Sequence, residues 1–175
     1  MFTPNSALFA VMALFGGAAF AADNPNFGRV PTQEEIAPWD VSIGPNGLGL
    51  PNARGTPKEG EEVYASKCLG CHGERGTGKP NDALVGGRGT LAGDQPAIKT
   101  IGSYWPYATT IFDYVRRAMP LDAPKSLTNA ETYAIVAYLL CLNGIIGEND
   151  VIDAHTLPKI LMPNREGFVT FSPGK

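Results

Sequence analysis

The sequence has few of the side chains that usually hold metal ions, with only three cysteines and two histidines among its 175 residues. A structural zinc site needs two pairs of Cys or His ligands, and the isolated His155 cannot complete one beside Cys68 and Cys71. Charged residues make up only 18%, the net charge is −3, and no basic run occurs, which argues against nucleic-acid binding. The motif G-x-x-x-x-G-K-S/T is also missing, so the glycine-rich stretch 73–93 is not a phosphate-binding loop.

The stretch 6–22 carries no charge, is largely apolar and ends in small residues. Ala19-Phe20-Ala21 matches the small-x-small pattern of a secretory cleavage site, which predicts a signal peptide over residues 1–21. A membrane anchor is the alternative, but roughly 16 apolar residues are fewer than the ~20 that a spanning helix needs. We therefore expect a periplasmic protein that has no membrane span after cleavage.

One compact chemical motif is present, C-L-G-C-H at residues 68–72. Two thiols at i and i+3 on one turn can reach both vinyl groups of a porphyrin, and the histidine that follows can bind its iron. A thioredoxin-like disulfide would need a preceding strand in a βαβ setting, which the sequence does not indicate. The motif predicts one covalently attached haem c, held by Cys68, Cys71 and His72.

The third cysteine, Cys141, is left without a partner. Paired cysteines in exported proteins usually form disulfides, so an odd cysteine needs its own interpretation. We expect a buried free thiol, with a dimer disulfide or a reactive thiol as alternatives.

Few residues can supply a second axial ligand for the iron, because two of the four methionines, Met1 and Met12, fall in the predicted signal peptide. Met119 lies in F-D-Y-V-R-R-A-M-P, where Pro120 should end a helix and hold the thioether at its exit. Met162, His155 and an open site are the alternatives, and Met119 is preferred.

Three helices are predicted from periodicity and capping signals. Thr56, Pro57 and Glu59 begin a helix that runs to about Cys71. The stretch 109–118 forms a second helix, capped by Thr109 or Thr110, and 128–143 forms a third, capped by Thr128 with Glu131. We expect no strand pairs.

These elements define an all-α domain with long loops over residues 56–144, flanked by an N-terminal arm (22–55) and a C-terminal arm (145–175). The arms are proline-containing and carry scattered apolar anchors, which is not the composition of a disordered tail. They are expected either to wrap the chain's own core or to lie on another protein.

The glycine-rich stretch 73–93 is interpreted as the loop that covers the His72 side of the haem, since glycine lets backbone lie flat against a planar ligand. One of its backbone carbonyls should accept the second imidazole N–H of His72.

The motif C-x-x-C-H at the end of a helix, a glycine-rich loop, a late Met-Pro and a C-terminal amphipathic helix together resemble a class I cytochrome c over residues 56–144. The resemblance implies thioether bonds from Cys68 and Cys71, His72 as proximal ligand and Met119 as distal ligand. It also implies that the first and last helices cross. Trp105 and Tyr107 become candidates to hydrogen-bond the haem propionates, with ordinary aromatic packing as the alternative.

Several longer stretches, among them GSYWPYATTIFDYVRRAMP, YLLCLNGII and LPKILMPNREGF, resemble the cytochrome subunits of periplasmic sulfite dehydrogenases, including the sulfane dehydrogenase of the sulfur-oxidising Sox system. The Sox subunit can carry two haems, whereas this chain has one C-x-x-C-H and would be a single-haem version. The resemblance implies a redox subunit that is not an enzyme by itself. It would accept electrons from a molybdenum-containing dehydrogenase subunit and pass them to a downstream cytochrome c or oxidase.

Two other functions remain open at this point. The first is a free-standing periplasmic electron shuttle whose arms cover its own core. The second is a haem-based sensor with an open distal site, which would not need Met119.

Overall fold

The computed structural model describes residues 28–169, and the predicted signal peptide lies outside that range. Helices dominate its secondary structure. In chain order the elements are α1 (Gln33–Ile36), β1 (Arg54–Gly55), α2 (Pro57–Lys67), α3 (Leu69–His72), α4 (Ala108–Ala118), α5 (Asn129–Leu142) and β2 (Ile152–Asp153), with 3₁₀ turns at Glu74–Gly76 and Leu157–Lys159. No helix of residues 28–169 is long and apolar enough to cross a membrane.

Of the described residues, 28–38 belong to a separate unit from those that follow. In its described part, 28–38, α1 begins with a capping box between Thr32 and Glu35. The Arg29 guanidinium pairs with the same Glu35 carboxylate, so this short helix is stabilised mainly by local polar contacts.

Helices α2 and α5 begin as the sequence predicts. The Thr56 hydroxyl accepts a hydrogen bond from the Glu59 backbone N–H (3.3 Å), and the Glu59 carboxylate accepts one from Thr56 N–H (2.8 Å). Thr128 and Glu131 repeat the arrangement at 3.2 and 2.8 Å. Each capping box satisfies two backbone donors that a helix start leaves unpaired.

The predicted single helix from Pro57 to Cys71 is wrong at its C-terminal end. Helix α2 stops at Lys67, where Cys68 leaves the helical region (φ −123°, ψ −31°), and the chain then continues as the single turn α3. Cys68 therefore lies at the break between the two helices and Cys71 lies within the second, rather than both lying within one continuous helix.

Helix α4 also begins earlier than predicted. It starts at Ala108 with Tyr107 as its N-cap, so neither Thr109 nor Thr110 is the cap. The Thr109 hydroxyl is buried and donates to the Pro45 carbonyl (3.3 Å), a long-range bond that uses the group a cap would need. The helix ends at Ala118, and Met119 is extended before Pro120, as predicted.

Helices α2 and α5 cross at very close range. A Cβ at Gly60 would lie 1.9 Å from the Ala134 carbonyl oxygen, so only glycine fits there. One turn later the rings of Tyr64 and Tyr138 pack with their centroids 5.4 Å apart. The predicted crossing of the first and last helices is therefore present.

An ion pair joins the same two helices. Lys67 Nζ, in the last turn of α2, lies 2.7 Å from the carboxylate of Glu131, in the first turn of α5. The hydrogen bond from Lys67 first, and that from the Thr128 backbone N–H second, hold the pKa of the Glu131 carboxyl at about 2. Each charge also faces the favourable end of its helix dipole.

Two short strands correct the prediction of no strand pairing. β1 and β2 are antiparallel, with Arg54 opposite Asp153 and Gly55 opposite Ile152. Two-residue strands have no periodicity to recognise, and these partners are far apart in sequence. The pairing ties the end of the N-terminal arm to the C-terminal arm.

Both arms supply part of the core. Ile43 from the first arm and Ile152, Leu157 and Met162 from the second are buried with residues of α2, α4 and α5. The side chains of α5 from Thr132 to Leu140 are consequently buried on every face, rather than on the single broad face that the sequence suggests. Of the predicted arm anchors, Trp39 (82% exposed) and Leu48 (76% exposed) do not join this core.

A buried carboxylate fastens the first arm to α4. Asp113 is 8% exposed, accepts a hydrogen bond from the Ile43 backbone N–H (3.1 Å) and pairs with Arg117 one turn along the helix. The contacts with both partners offset the free-energy cost of removing the Asp113 carboxylate from water. Loss of either partner would leave part of that cost without compensation.

Candidate cofactor site

The predicted attachment residues lie together on one turn. Helix α3 begins immediately after Cys68, whose carbonyl accepts hydrogen bonds from the backbone N–H groups of Cys71 (3.2 Å) and His72 (3.0 Å). Cys71 is exposed, whereas Cys68 is half-buried against the core, and burial raises the pKa of the Cys68 thiol to about 11. Among residues 28–169 no disulfide joins Cys68, Cys71 and Cys141, and Cys141 is half-buried rather than fully buried as predicted.

The ring of His72 is fixed by a backbone carbonyl. Its Nδ1 lies 3.0 Å from the carbonyl oxygen of Asp82, which can only accept a hydrogen bond. The proton is therefore on Nδ1, and the lone pair of Nε2 is free to bind a metal ion. The sequence predicts a carbonyl of the loop 73–93 in this role, and the structure identifies it as that of Asp82.

The loop after His72 turns back over the haem-attachment turn. Gly78 N–H donates to the His72 carbonyl (2.8 Å) and Asn81 N–H to the Cys71 carbonyl (2.9 Å). The Tyr64 hydroxyl donates to the carbonyl of Gly73 (2.7 Å), and burial raises the pKa of that tyrosine. Gly73 has φ +72°, and a Cβ there would meet the Gly78 carbonyl oxygen at 2.6 Å, so this return needs glycine.

Met119 lies directly after α4 and is half-buried against the core. Of the alternatives, Met162 is only 3% exposed and packs within the core cluster. His155 is exposed and lines an open cleft of about 550 Å³ together with Tyr107, Lys159 and Arg165. The cleft contains none of Cys68, Cys71 and His72 among its lining residues. Ligation by Met119 stays a prediction.

The two aromatic candidates are in different surroundings. The ring of Trp105 packs against Tyr114, with centroids 5.7 Å apart, and touches the core. The ring of Tyr107 lies beneath the Arg165 guanidinium, 4.3 Å from its centroid. Each therefore has an aromatic or cation–π packing role, and the propionate contacts stay a prediction.

Sequence reasoning missed the side chain of Asn143, which it treats only as the end of the last helix. In the structure its amide spans from α5 to the glycine-rich loop: Nδ2 donates to the Leu84 carbonyl (3.2 Å) and Oδ1 accepts from Gly86 N–H (3.0 Å). These contacts join residues more than 50 positions apart, so no local pattern could indicate them.

The donor set suits a c-type haem. Two cysteines and a histidine whose Nδ1 is already protonated occupy one turn, and Cys71 is solvent-accessible for covalent attachment. Thiols and imidazole are the groups through which haem c is held and ligated. The mostly helical fold and this donor set define a c-type cytochrome.

The comparisons with known proteins agree. Residues 55–139 match the family described as cytochrome c oxidase, cbb3-type, subunit III. Among solved structures, a chain in the crystal structure of the sulfane dehydrogenase SoxCD from Paracoccus pantotrophus is 39% identical, with a TM-score of 0.77, over 82% of this chain and 71% of that one. The search of curated proteins returned no match.

The chain belongs to the cytochrome c family and carries covalently bound haem c. The predicted fold class and the predicted resemblance to the SoxCD cytochrome are both confirmed. As a cytochrome c its activity is electron transfer.

Proposed function

We propose that this cytochrome is the periplasmic electron-transfer subunit of a molybdenum-containing sulfite or sulfane dehydrogenase, and that it delivers electrons to a downstream cytochrome c or oxidase. One observation carries the proposal: the likeness to the SoxCD chain extends over 82% of this protein, whereas the general cytochrome match ends at residue 139. The likeness therefore includes parts of the arms, which a general electron-transfer domain does not need.

In this proposal Cys68 and Cys71 would form the thioether bonds to the haem, and His72 Nε2 and Met119 would be its iron ligands. Trp105 and Tyr107 hydrogen-bond the propionates. The bound haem supplies one-electron exchange, and histidine–methionine ligation favours a high reduction potential. The chain itself orients His72 through the Asp82 carbonyl and holds the attachment turn against the core.

The sulfur chemistry is assigned to the partner. Oxidation of a sulfur compound by two electrons at a metal centre on another chain needs an acceptor for both electrons, and a single haem would take them in two successive one-electron transfers. The signal peptide (1–21), the arms (22–55 and 145–175) and the haem domain (56–144) complete the proposed organisation.

Exposed apolar residues on the arms support a partner. Trp39, Leu48 and Leu161 are 82%, 76% and 80% exposed. Of these, Trp39 carries the argument, because tryptophan is enriched at protein interfaces relative to the rest of the surface. A free-standing shuttle is the second candidate, and it is favoured by the burial of Ile43 and Ile152 in the chain's own core.

The attachment residues are tested first. Covalently attached haem should migrate with the wild-type chain in denaturing electrophoresis. The double variant Cys68→Ser/Cys71→Ser should have no such haem, and Cys141→Ser should retain it. Met119→Ala should lose the ferric charge-transfer band of methionine-ligated haem, and Met162→Leu should retain it. Loss of the band in Met162→Leu alone would assign the distal ligand to Met162. An unchanged spectrum in both variants would favour His155 as distal ligand or a sensor with an open site.

The partner is tested by reduction without oxygen. Sulfite, or a sulfane-sulfur compound in a parallel sample, is added to the protein purified from its native periplasm, and the ferrous spectrum is followed. The cytochrome expressed alone is the control. Fast reduction only in the native preparation supports the dehydrogenase subunit, and no reduction by either compound in either preparation favours the shuttle.

A further inference from the structure

The side chain of Asn143 connects the last helix to the loop that orients His72. Its Nδ2 donates to the Leu84 carbonyl (3.2 Å) and to the Leu139 carbonyl of α5 (2.8 Å), while its Oδ1 accepts from Gly86 N–H (3.0 Å). The orientation of the amide follows from its partners, since carbonyls only accept and a backbone N–H only donates.

The segment held by this amide is the one that carries the His72 contact. At one end Asn81 N–H donates to the Cys71 carbonyl (2.9 Å), and at the other Asn143 holds Leu84 and Gly86. Asp82, whose carbonyl accepts from His72 Nδ1, lies between these two attachments. The N–H groups of Leu84 and Val85 also donate to the Gly76 carbonyl (2.8 and 3.2 Å), so displacing the amide loosens this end of the segment without releasing it. A looser segment gives the Asp82 carbonyl more freedom to move away from the imidazole.

The surroundings of the amide are shaped to hold it. A Cβ at Gly102 would lie 2.1 Å from Asn143 Oδ1 and 2.8 Å from its Cγ, so the amide rests directly on the backbone of that glycine. The Leu84 carbonyl accepts a second hydrogen bond from Ile101 N–H (3.3 Å). A residue that only ended α5 would not need these contacts outside its own helix.

We propose that Asn143 is a positioning residue for the haem ligand His72: its amide clamps residues 84–86 and so keeps the Asp82 carbonyl against His72 Nδ1. The inference rests on the proposed role of His72 as iron ligand. The hydrogen bond to Nδ1 makes the imidazole a stronger electron donor, which favours ferric iron. Loosening the clamp should therefore raise the reduction potential.

The test compares three variants of the full-length haem protein, none of which changes its net charge. Asn143→Ala removes the amide, and Gly102→Ala leaves Asn143 in place but displaces its amide through the added Cβ. Tyr133→Phe is the matched control, because it removes one side-chain bond from α5 to a backbone carbonyl, that of Pro51 (3.0 Å), without touching the loop. Potentials are measured by spectroelectrochemistry, and exchange of the His72 Nδ1 proton is measured by NMR of the ferrous protein.

The two clamp variants should show a higher potential and roughly threefold to tenfold faster Nδ1 proton exchange, as expected for one weakened hydrogen bond. Tyr133→Phe should lose stability without either change. If Asn143→Ala or Gly102→Ala loses stability but keeps the wild-type potential and exchange rate, Asn143 is only a helix cap and the inference is wrong. Absence of a covalent, histidine-ligated haem in the wild-type protein would overturn the proposed function, and this is visible before any variant is made.

Discussion

Replacing Gly60 by alanine should destabilise the protein, although alanine is the better helix former. The added Cβ would lie 1.9 Å from the carbonyl oxygen of Ala134, 2.5 Å from its carbonyl carbon and 2.7 Å from Tyr138 Cβ. Two of these three atoms are backbone atoms of α5. They cannot move aside as the end of a flexible side chain would, so the helices themselves must separate.

The magnitude follows from two opposing effects. Alanine in place of glycine inside a helix contributes about 1 kcal/mol in favour of folding. Restoring an ordinary contact distance requires α2 to retreat by more than about 1 Å, and gaps of that size forfeit a quarter to a half of each dispersion contact. Overpacking of a close-packed site typically costs about 1–3 kcal/mol. Since this contact is far inside the normal range, the upper end applies, and we expect a net loss of about 2 kcal/mol.

The assay is denaturant unfolding of the haem-loaded protein, followed by far-ultraviolet circular dichroism and by haem absorbance. Ser66→Ala is the matched control, because it raises helix propensity on the exposed side of α2, where its hydroxyl only contacts carbonyls of its own helix. The control should be neutral or slightly more stable. A Gly60→Ala protein as stable as the wild type would refute the close crossing of α2 and α5.

Three further predictions concern polar contacts. Glu131→Gln should lower the free energy of unfolding by about 1 kcal/mol at pH 7, because it removes the ion pair with Lys67. The Glu131 carboxyl has a folded pKa of about 2, below its ordinary value, so its stabilisation is fully present above about pH 5. The difference from wild type should therefore shrink as the pH falls through 4 to 2 in acid-unfolding titrations. Asp113→Ala should lose about 2 kcal/mol in urea unfolding, since it leaves the Ile43 N–H without its partner, whereas the Arg117 side chain is 46% exposed and can be solvated. Tyr133→Phe should lose about 1 kcal/mol in the same assay, because its hydroxyl no longer reaches the arm.

Two control variants at more exposed positions accompany these predictions. Glu62→Gln, at an exposed position of α2, should leave the acid titration unchanged, and Tyr114→Phe, at a half-exposed ring, should leave the urea midpoint unchanged. Equal pH dependence for Glu131→Gln and wild type would show that the Lys67 pair does not stabilise the fold. Wild-type stability of Asp113→Ala would show that the first arm is held by apolar contacts alone.

The features that could be predicted from the sequence are those set by neighbouring residues. The capping boxes at Thr56 and Thr128 use side chains three positions apart, and Pro120 excludes helix at the residue before it. The C-x-x-C-H motif likewise lies within a single turn. In each case the interacting residues lie within a few positions of one another, and the local structure that they favour is the one found in the folded protein.

The features that could not be predicted depend on distant partners. The start of α4 was misplaced because the Thr109 hydroxyl bonds Pro45, 64 positions earlier, instead of capping its own helix. The burial of α5 on all faces was missed because the arms cover it. The particular carbonyl that faces His72 was unknown because loop conformation, and not composition, selects Asp82.

Helix α5 is the element against which the cofactor site is positioned. Near its beginning Glu131 holds Lys67, the residue before Cys68; in its middle Ala134 meets Gly60; and at its end Asn143 holds the loop that faces His72. The first two contacts hold α2, the helix that leads into the turn with Cys68, Cys71 and His72. The third contact holds the loop that follows this turn in sequence. Weakening the first two should therefore lower stability and leave the potential unchanged, since the Asp82 carbonyl keeps its place. Among these three contacts, only a change at Asn143 or Gly102 should alter the potential, and this separation distinguishes a scaffold contact from one that acts on the haem ligand.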